Sequence, residues 1–230
     1  MYHDVGEATA DGYTVSRRKL EADLALVGAP GGAISCAVTF DDGRAGTFVH
    51  ALPALLESQI PATLFAISGF LGRPGFMEPW MLRVWHAAGL RVGSHSVTHR
   101  PLPSLSQRDA RRELSDSKAR LEDILGAPVA DFALPGGNDT RRVRQLALES
   151  GYARVYTSRP AFAREGDRAL PRFAIRETTP VDAIRLLRAG RVPESFRADR
   201  LRFAAKRALG LRLYLMLRSR LRPEARGAAG

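Results

Sequence analysis

Two adjacent carboxylates and two histidines are the residues of this sequence whose types and spacing could do chemistry. Asp41 and Asp42 follow an apolar run, and His95 and His99 stand four positions apart further along the chain. Adjacent carboxylates repel each other, and a bound cation relieves that repulsion. One Asp with two His supplies three oxygen and nitrogen ligands, the usual protein donor set of a catalytic divalent-ion site. The structural alternative is an aspartate pair at a turn and two surface histidines.

The histidine spacing and the strand ends predict where these residues lie. A four-residue spacing brings both rings to one side of a helical turn. Three polar segments each follow an apolar run: TFDDG (39–43), GSHSVTH (93–99) and FALPGG (132–137). In α/β folds the loops at the carboxyl ends of parallel strands form the active face. We therefore expect the three segments to converge on one mouth.

The elements that must position these segments alternate between apolar and amphipathic stretches. Strands are predicted at residues 33–40, 61–67, 90–95, 131–134 and 153–157. Helices are predicted at residues 16–27, 47–58, 78–88, 106–125 and 140–150. Repeated strand–helix units favour a parallel sheet with right-handed crossovers, either open and doubly wound or closed into a barrel.

Composition narrows the class of protein. A chain of 230 residues with 45% hydrophobic and 26% charged residues is typical of a soluble globular protein with a sizeable core. The single cysteine, Cys36, excludes an internal disulfide, and its apolar neighbours predict a buried, inert thiol. Because the sequence shows neither a secretory signal nor an apolar stretch of spanning length, we expect a cytoplasmic location.

The net charge of +11 is concentrated near the C-terminus. Residues 197–230 hold ten Lys or Arg and two acidic residues, so the rest of the chain is nearly balanced and no nucleic acid is expected as a partner. We place a domain at residues 1–192 and a basic tail at 193–230. Residues 197–222 mix aliphatic and basic side chains at helical spacing. They form either an amphipathic helix on the anionic inner face of a membrane or a helix packed on the domain.

The order of the three polar segments resembles the polysaccharide deacetylase family (NodB-homology, carbohydrate esterase 4). ALPALLESQIPATLFAISGFLG, between the first two segments, and ESGY, after the third, are similar to that family as well. The resemblance covers roughly residues 33–180 and the N-terminal MYHDV. It implies a distorted (β/α)7 barrel, a divalent metal for which zinc is the expected ion, and removal of N-acetyl groups from an N-acetylglucosamine-type sugar. The implied partner is an N-acetylated glycan, either a polysaccharide or lipid-linked.

The resemblance also implies roles for individual positions. By this resemblance, Asp41 occupies the position of the family's catalytic base. Asp42, His95 and His99 are similar to the metal ligands. Pro135, Gly136 and Gly137 lie where the family forms the site that stabilises the oxyanion.

The sequence departs from the common family pattern in two places. Ala133 stands where the family usually has an arginine that orients the base, and none of the five histidines follows position 99. For the arginine we nominate Arg172, at the start of a predicted late strand; the alternative is a surface charge. For the missing histidine acid we nominate His3, because MYHDV is similar to the start of circularly permuted poly-N-acetylglucosamine deacetylases. Residues 1–5 are then expected to form a strand that closes the barrel.

Two other functions remain open at this point. A barrel without the usual arginine and histidine could bind glycan without turning it over. A barrel with the same chemistry could instead remove a formyl group from a lipid-linked amino sugar.

Overall fold

The centre of the fold is a parallel sheet whose strands follow one another in chain order. The structure is a computed structural model that describes residues 1–7 and 12–221. A short parallel pair is formed by β1 (Asp4–Val5) and β2 (Thr14–Val15). The six-stranded sheet contains β3 (Val38–Phe40), β4 (Ala62–Ala66), β5 (Arg91–Ser94), β6 (Asp131–Ala133), β7 (Arg154–Tyr156) and β8 (Ala169–Leu170). Parallel neighbours in chain order require a crossover after each strand, as the alternating pattern predicts.

The first two residues complete the barrel between its edges. Four backbone hydrogen bonds of 2.8 to 3.0 Å make the connection. On the β3 side, the Tyr2 N–H donates to the Thr39 carbonyl and the Asp41 N–H donates to the Tyr2 carbonyl. On the other side, the Met1 amino group donates to the Phe173 carbonyl and the Ile175 N–H donates to the Met1 carbonyl. The N-terminal segment therefore lies between β3 and the segment after β8, and the curled sheet closes into the predicted distorted barrel. Because of this closure, the residue after Tyr2 stands beside the end of β3.

Helices cover the outside of the sheet. They are α1 (Arg17–Gly28), α2 (Leu52–Ser58), α3 (Pro79–Ala87), α4 (Gln107–Leu125), α5 (Arg141–Glu149), α6 (Asp182–Arg188) and α7 (Arg197–Leu221); a π-helical turn, Thr47–Ala51, leads into α2. Three of these helices have a side-chain cap at the N-terminus, in which a hydroxyl accepts a hydrogen bond from the backbone N–H three residues later. The capping residues are Ser16 for α1, Ser106 for α4 and Thr140 for α5. Such caps satisfy donors that a helix start leaves unpaired.

Burial on both faces explains why the strands are apolar runs rather than alternating patterns. Every residue of β4 is buried, because helices cover one face and the barrel interior the other. On the helix side, Leu20 of α1 and Leu114 of α4 are fully buried in the main core. Trp85 of α3 packs edge-on against Phe40, with ring centroids 6.0 Å apart.

Two predictions about strands are wrong. The first strand begins at Val38, and residues 33–37 are exposed or half-buried. Cys36 is consequently half-buried rather than in the core, and this partial burial raises the pKa of its thiol. Arg172 does not begin the predicted late strand but follows it by two residues, because that strand, β8, ends at Leu170.

The C-terminal helix contacts the barrel along its first half. Phe196 is buried just before α7, and Arg176 binds Asp199 through two hydrogen bonds of 2.7 and 3.0 Å. Lys206 Nζ donates to the Gly136 carbonyl at 3.1 Å, and the helix is interrupted at Gly210. The packed alternative therefore holds for this half. Residues 222–230 lie outside the described part. Within that part, none of the helices is long and apolar enough to cross a membrane.

Candidate active site

The predicted site residues stand at one edge of the sheet. Asp41 and Asp42 follow β3, His95 follows β5, and the turn Pro135–Gly137 follows β6. Arg172 comes two residues after β8. Since parallel strands end at the same edge, side chains from distant parts of the sequence meet there.

Asp42, His95 and His99 form a cluster with the geometry of a metal site. Asp42 Oδ1 lies 3.6 Å from Nε2 of His95 and 3.6 Å from Nε2 of His99, and one ligand atom from each residue lies within 4.8 Å of the others. Ligands of a tetrahedral zinc ion at its usual bond lengths stand about 3.3 Å apart. Asp42 Oδ1 is also buried without a hydrogen-bond partner among the described residues. An unpaired buried carboxylate oxygen between two imidazoles fits a divalent cation.

The ring orientation of His95 is fixed from behind. Its Nδ1 is 2.8 Å from the carbonyl of Ala133, so the Nδ1–H donates there and Nε2 turns to the cluster. Burial lowers the pKa of His95 to about 3, so its imidazole is neutral, as a ligand must be. The backbone of Ala133 thus serves the site although its side chain is not the arginine of the common family pattern.

The loop that carries the histidines is not a helical turn, and that prediction is wrong. Ser96 and His99 have φ of 67° and 59°, and Asp42 has φ of 74°. Left-handed conformations are uncommon for residues with a Cβ and persist where the surrounding structure enforces them. Two of the three cluster residues are thus held in a conformation that costs free energy.

Glu113 of α4 holds this loop, and the sequence analysis missed it. Its carboxylate accepts the N–H groups of Val97 and Thr98 at 2.9 Å and the Thr98 hydroxyl at 2.6 Å. Glu113 is buried. A single Glu on an amphipathic helix resembles its solvated neighbours in sequence, so no pattern pointed to it.

Arg172 and Asp41 form a buried ion pair beside the cluster. Nη1 and Nη2 of Arg172 donate to the two oxygens of Asp41 at 2.6 and 2.9 Å. The same guanidinium donates to Thr39 Oγ1 and to the Thr157 carbonyl. Arg172 is 7% exposed, so the surface-charge alternative is wrong.

The two adjacent aspartates have opposite proton affinities. Burial alone would raise the pKa of Asp41, but the Arg172 guanidinium and His95 hold it well below its usual range. Burial and the negative charge of Asp41 raise the pKa of Asp42 to about 7. Asp41 is therefore an anion at neutral pH, and Asp42 is the carboxylate that gains most from a cation.

His3 lies close enough to the ion pair of Asp41 and Arg172 for both charges to affect its pKa. Its ring packs edge-on against Tyr13, with centroids 4.7 Å apart, and its Nδ1 is buried without a hydrogen-bond partner in the described part of the chain. Burial lowers the pKa of His3 to about 4, while the charge of Asp41 opposes that shift. The ring is neutral at pH 7 and stands outside the cluster of ligand atoms.

The turn after β6 offers one backbone donor. Pro135 has no N–H, and the N–H of Gly137 donates to the Leu134 carbonyl at 3.0 Å. The N–H of Gly136 has no hydrogen-bond partner among the described residues, and Gly136 is exposed with φ of 61°. Of the three residues predicted to stabilise an oxyanion, Gly136 alone has an N–H that is not already used.

The parallel barrel and its Asp–His–His cluster are the features expected of the NodB-homology, carbohydrate esterase 4 class. Comparison with known proteins agrees, because the profile of the family described as polysaccharide deacetylase matches residues 29–155. The chain belongs to the polysaccharide deacetylase family.

Individual relatives give the same picture. The chain is 26% identical over 126 residues to the "Putative polysaccharide deacetylase YxkH" of Bacillus subtilis, covering 55% of this chain and 45% of that protein. It is 30% identical over 129 residues to the "Chitooligosaccharide deacetylase" of Sinorhizobium fredii, covering 55% of this chain and 58% of that protein. The chain thus matches about half the length of these relatives. The solved structure of IcaB from Ammonifex degensii is 27% identical, with a TM-score of 0.70 over 82% of this chain and 93% of that one.

Proposed function

We propose that this chain removes N-acetyl groups from an amino sugar of the N-acetylglucosamine type within a glycan, with a divalent ion, zinc being expected, held by Asp42, His95 and His99. The observation that carries the proposal is the buried, unpaired Asp42 Oδ1, 3.6 Å from both imidazoles and adjacent to an aspartate gripped by Arg172. Family membership supports the reaction class. An ion at these residues supplies polarisation of the acetyl carbonyl and a lowered pKa of water.

Asp41 is the base in this proposal. Arg172 occupies both of its oxygens, which fixes the carboxylate plane and keeps it ionised at neutral pH. The attacking water gives its proton to Asp41 as the bond to the acetyl carbon forms. Gly136 N–H donates to the carbonyl oxygen as negative charge develops there.

His3 delivers the proton to the departing amine. The His3 ring is neutral in the free protein, and its buried Nδ1 has no hydrogen-bond partner in the described part of the chain. In this proposal the proton that Asp41 takes from water passes to His3 and then to the nitrogen. Because the proton is supplied during the reaction, His3 need not be charged in the free enzyme.

The experiment is acetate release from N-acetylated chitotetraose by the zinc-loaded protein, with formate release from an N-formyl analogue measured in parallel. Asp41→Asn should retain the metal and lose roughly 10²- to 10⁴-fold in kcat. Asp182→Asn, at a side chain that is 79% exposed on α6, is the matched control and should keep full activity. Equal activity of Asp41→Asn and Asp182→Asn would show that Asp41 is not the base.

We also propose that α7, the main element of the expected tail at 193–230, touches an anionic membrane surface. Leu201, Leu209, Leu213 and Met216 are exposed along this helix, in the most basic part of the chain. Apolar side chains among basic ones match an interfacial helix. The intact protein should bind vesicles containing phosphatidylglycerol, and less so at high salt. Equal binding to neutral phosphatidylcholine vesicles would contradict electrostatic recruitment.

A further inference from the structure

A cavity of about 500 Å³ lies between α7 and the loop after β6, and the proposed mechanism does not use its side chains. Five basic residues line it: Arg141, Arg144, Arg159, Lys206 and Arg207. Two acidic residues line it as well. Pockets for small ligands or ligand groups occupy roughly 300–1,000 Å³, so the cavity has room for a charged group together with part of a sugar.

The positive charge of the cavity is only partly neutralised by the protein. Asp139 pairs with Arg144, and the Asp167 carboxylate accepts the backbone N–H of Arg164 at 2.9 Å. Arg141, Arg159 and Arg207 have no ion-pair partner in the part of the chain that the structure describes. Three such guanidinium groups around one space repel each other, and an anion with several oxygens relieves that repulsion.

The cavity adjoins the reaction site through shared residues. Thr157 lines the cavity, and its carbonyl accepts a hydrogen bond from Nε of Arg172. The same guanidinium donates to the Asp41 carboxylate. Gly137 also lines it, next to the proposed donor Gly136. Lys206 Nζ donates to the Gly136 carbonyl at 3.1 Å. A group bound in the cavity is therefore close enough to be part of the molecule whose acetyl group reacts.

We propose that the cavity binds a phosphoryl group carried by the substrate glycan, through Arg141, Arg159 and Arg207. The inference rests on the proposed deacetylase function and adds to it that the substrate is a phosphorylated amino-sugar glycan. A phosphoryl group matches the cavity because it brings up to two negative charges and several oxygens for planar guanidinium donors. The phosphate can belong to a soluble sugar phosphate or link the sugar to a lipid, and the two sources share this chemistry.

The test compares three substrates with the full-length, zinc-loaded protein. They are N-acetylated chitotetraose, the same tetrasaccharide with a phosphate at its reducing end, and the tetrasaccharide linked through phosphate to a short polyprenol. The phosphorylated forms should have kcat/KM at least roughly tenfold above the neutral form, mainly through KM. A further gain for the polyprenyl form identifies the lipid-linked source, and equal values identify the soluble one. Equal kcat/KM for the neutral and phosphorylated forms would overturn the proposal.

Variants tie the preference to the cavity. Arg141→Gln combined with Arg207→Gln should abolish most of the preference and leave turnover of neutral chitotetraose unchanged. Both side chains are exposed, so the fold tolerates the change. Arg200→Gln, also exposed on α7 but outside the cavity, is the matched control and should retain the preference. If the double variant lost the same factor in kcat/KM on the neutral and the phosphorylated substrates, these arginines would not bind the phosphoryl group.

A binding measurement separates this proposal from the proposed function. Inorganic pyrophosphate should bind the wild-type and Arg200→Gln proteins in calorimetry, and bind the double variant at least roughly tenfold more weakly. If no substrate releases acetate but pyrophosphate shows this pattern, the reaction is wrong and the anion site stands. Equal pyrophosphate affinity in all three proteins would overturn the anion site.

Discussion

Replacing Arg172 by Met should expose how strongly the protein depends on the ion pair that holds Asp41. The substitution keeps an apolar stem of similar length and removes four hydrogen bonds: two to Asp41, one to Thr39 and one to Thr157. It leaves the Asp41 carboxylate buried without its counter-charge. Removing one partner of a buried ion pair costs about 3–5 kcal/mol, so we expect a loss of that size in the free energy of unfolding.

The assay is a double-mutant cycle by urea unfolding at pH 7, in chelator so that no metal contributes. Asp41→Asn alone leaves a buried guanidinium unpaired, whereas the double variant Arg172→Met with Asp41→Asn contains neither charge. The double variant should therefore be more stable than the sum of the single losses predicts. Losses that add within about 0.5 kcal/mol would refute the pair as an energetic unit.

The pH profile separates positioning of the base from plain stability. In the wild-type protein the pKa of Asp41 is depressed, so its stabilisation is complete above the usual range and is lost as pH falls through the folded value. Without Arg172 the burial of Asp41 remains, which raises its pKa. The acid limb of kcat/KM should then move to higher pH in Arg172→Met, and Arg172→Lys should move it less. An unchanged limb would mean that Arg172 does not set the ionisation of the base.

The remaining predictions concern the metal cluster and the proton donor. Because the pKa of Asp42 is about 7, zinc affinity measured by calorimetry should fall about tenfold per pH unit below pH 7, and a flat profile would contradict a protonated Asp42. His3→Ala should keep zinc affinity and lower kcat by roughly 10²-fold or more, and loss of the metal instead would make His3 a ligand. Glu113→Gln should weaken zinc binding by roughly 10- to 100-fold through the histidine loop, whereas Asp116→Asn, exposed on the same helix, should leave it unchanged.

Local motifs made the cluster predictable, and long-range packing made other parts of the site hard to predict. The three cluster residues follow apolar strands in the sequence: Asp42, His95 and His99. Because parallel strands end on the same side of a sheet, their positions after strands are sufficient to predict that they lie together. Arg172 reaches Asp41 across 131 positions of sequence and was nominated because the usual arginine position holds Ala133. The structure pairs this side chain with Asp41, but no pattern in the sequence predicts its burial.

The errors have physical causes as well. The apolar run at residues 33–37 is typical of a strand, but it lies outside the sheet. It contacts α6 instead, where the Ile34 N–H donates a hydrogen bond to the Arg188 carbonyl. The His95 and His99 spacing reads as a helical turn, yet a loop with left-handed residues gives the same convergence. The role of Glu113 depends on two backbone N–H groups in another element, which no sequence pattern encodes.

The most direct test of the central claim is the stoichiometry of acetate and free amine released from N-acetylated chitotetraose by the protein loaded with one equivalent of zinc. We expect one free amine per acetate, loss of both products in Asp42→Ala, and full release by Asp182→Asn. Binding of the glycan to the zinc-loaded protein without any acetate, at any pH where the fold is intact, would contradict the account and indicate a barrel that binds glycan without turnover.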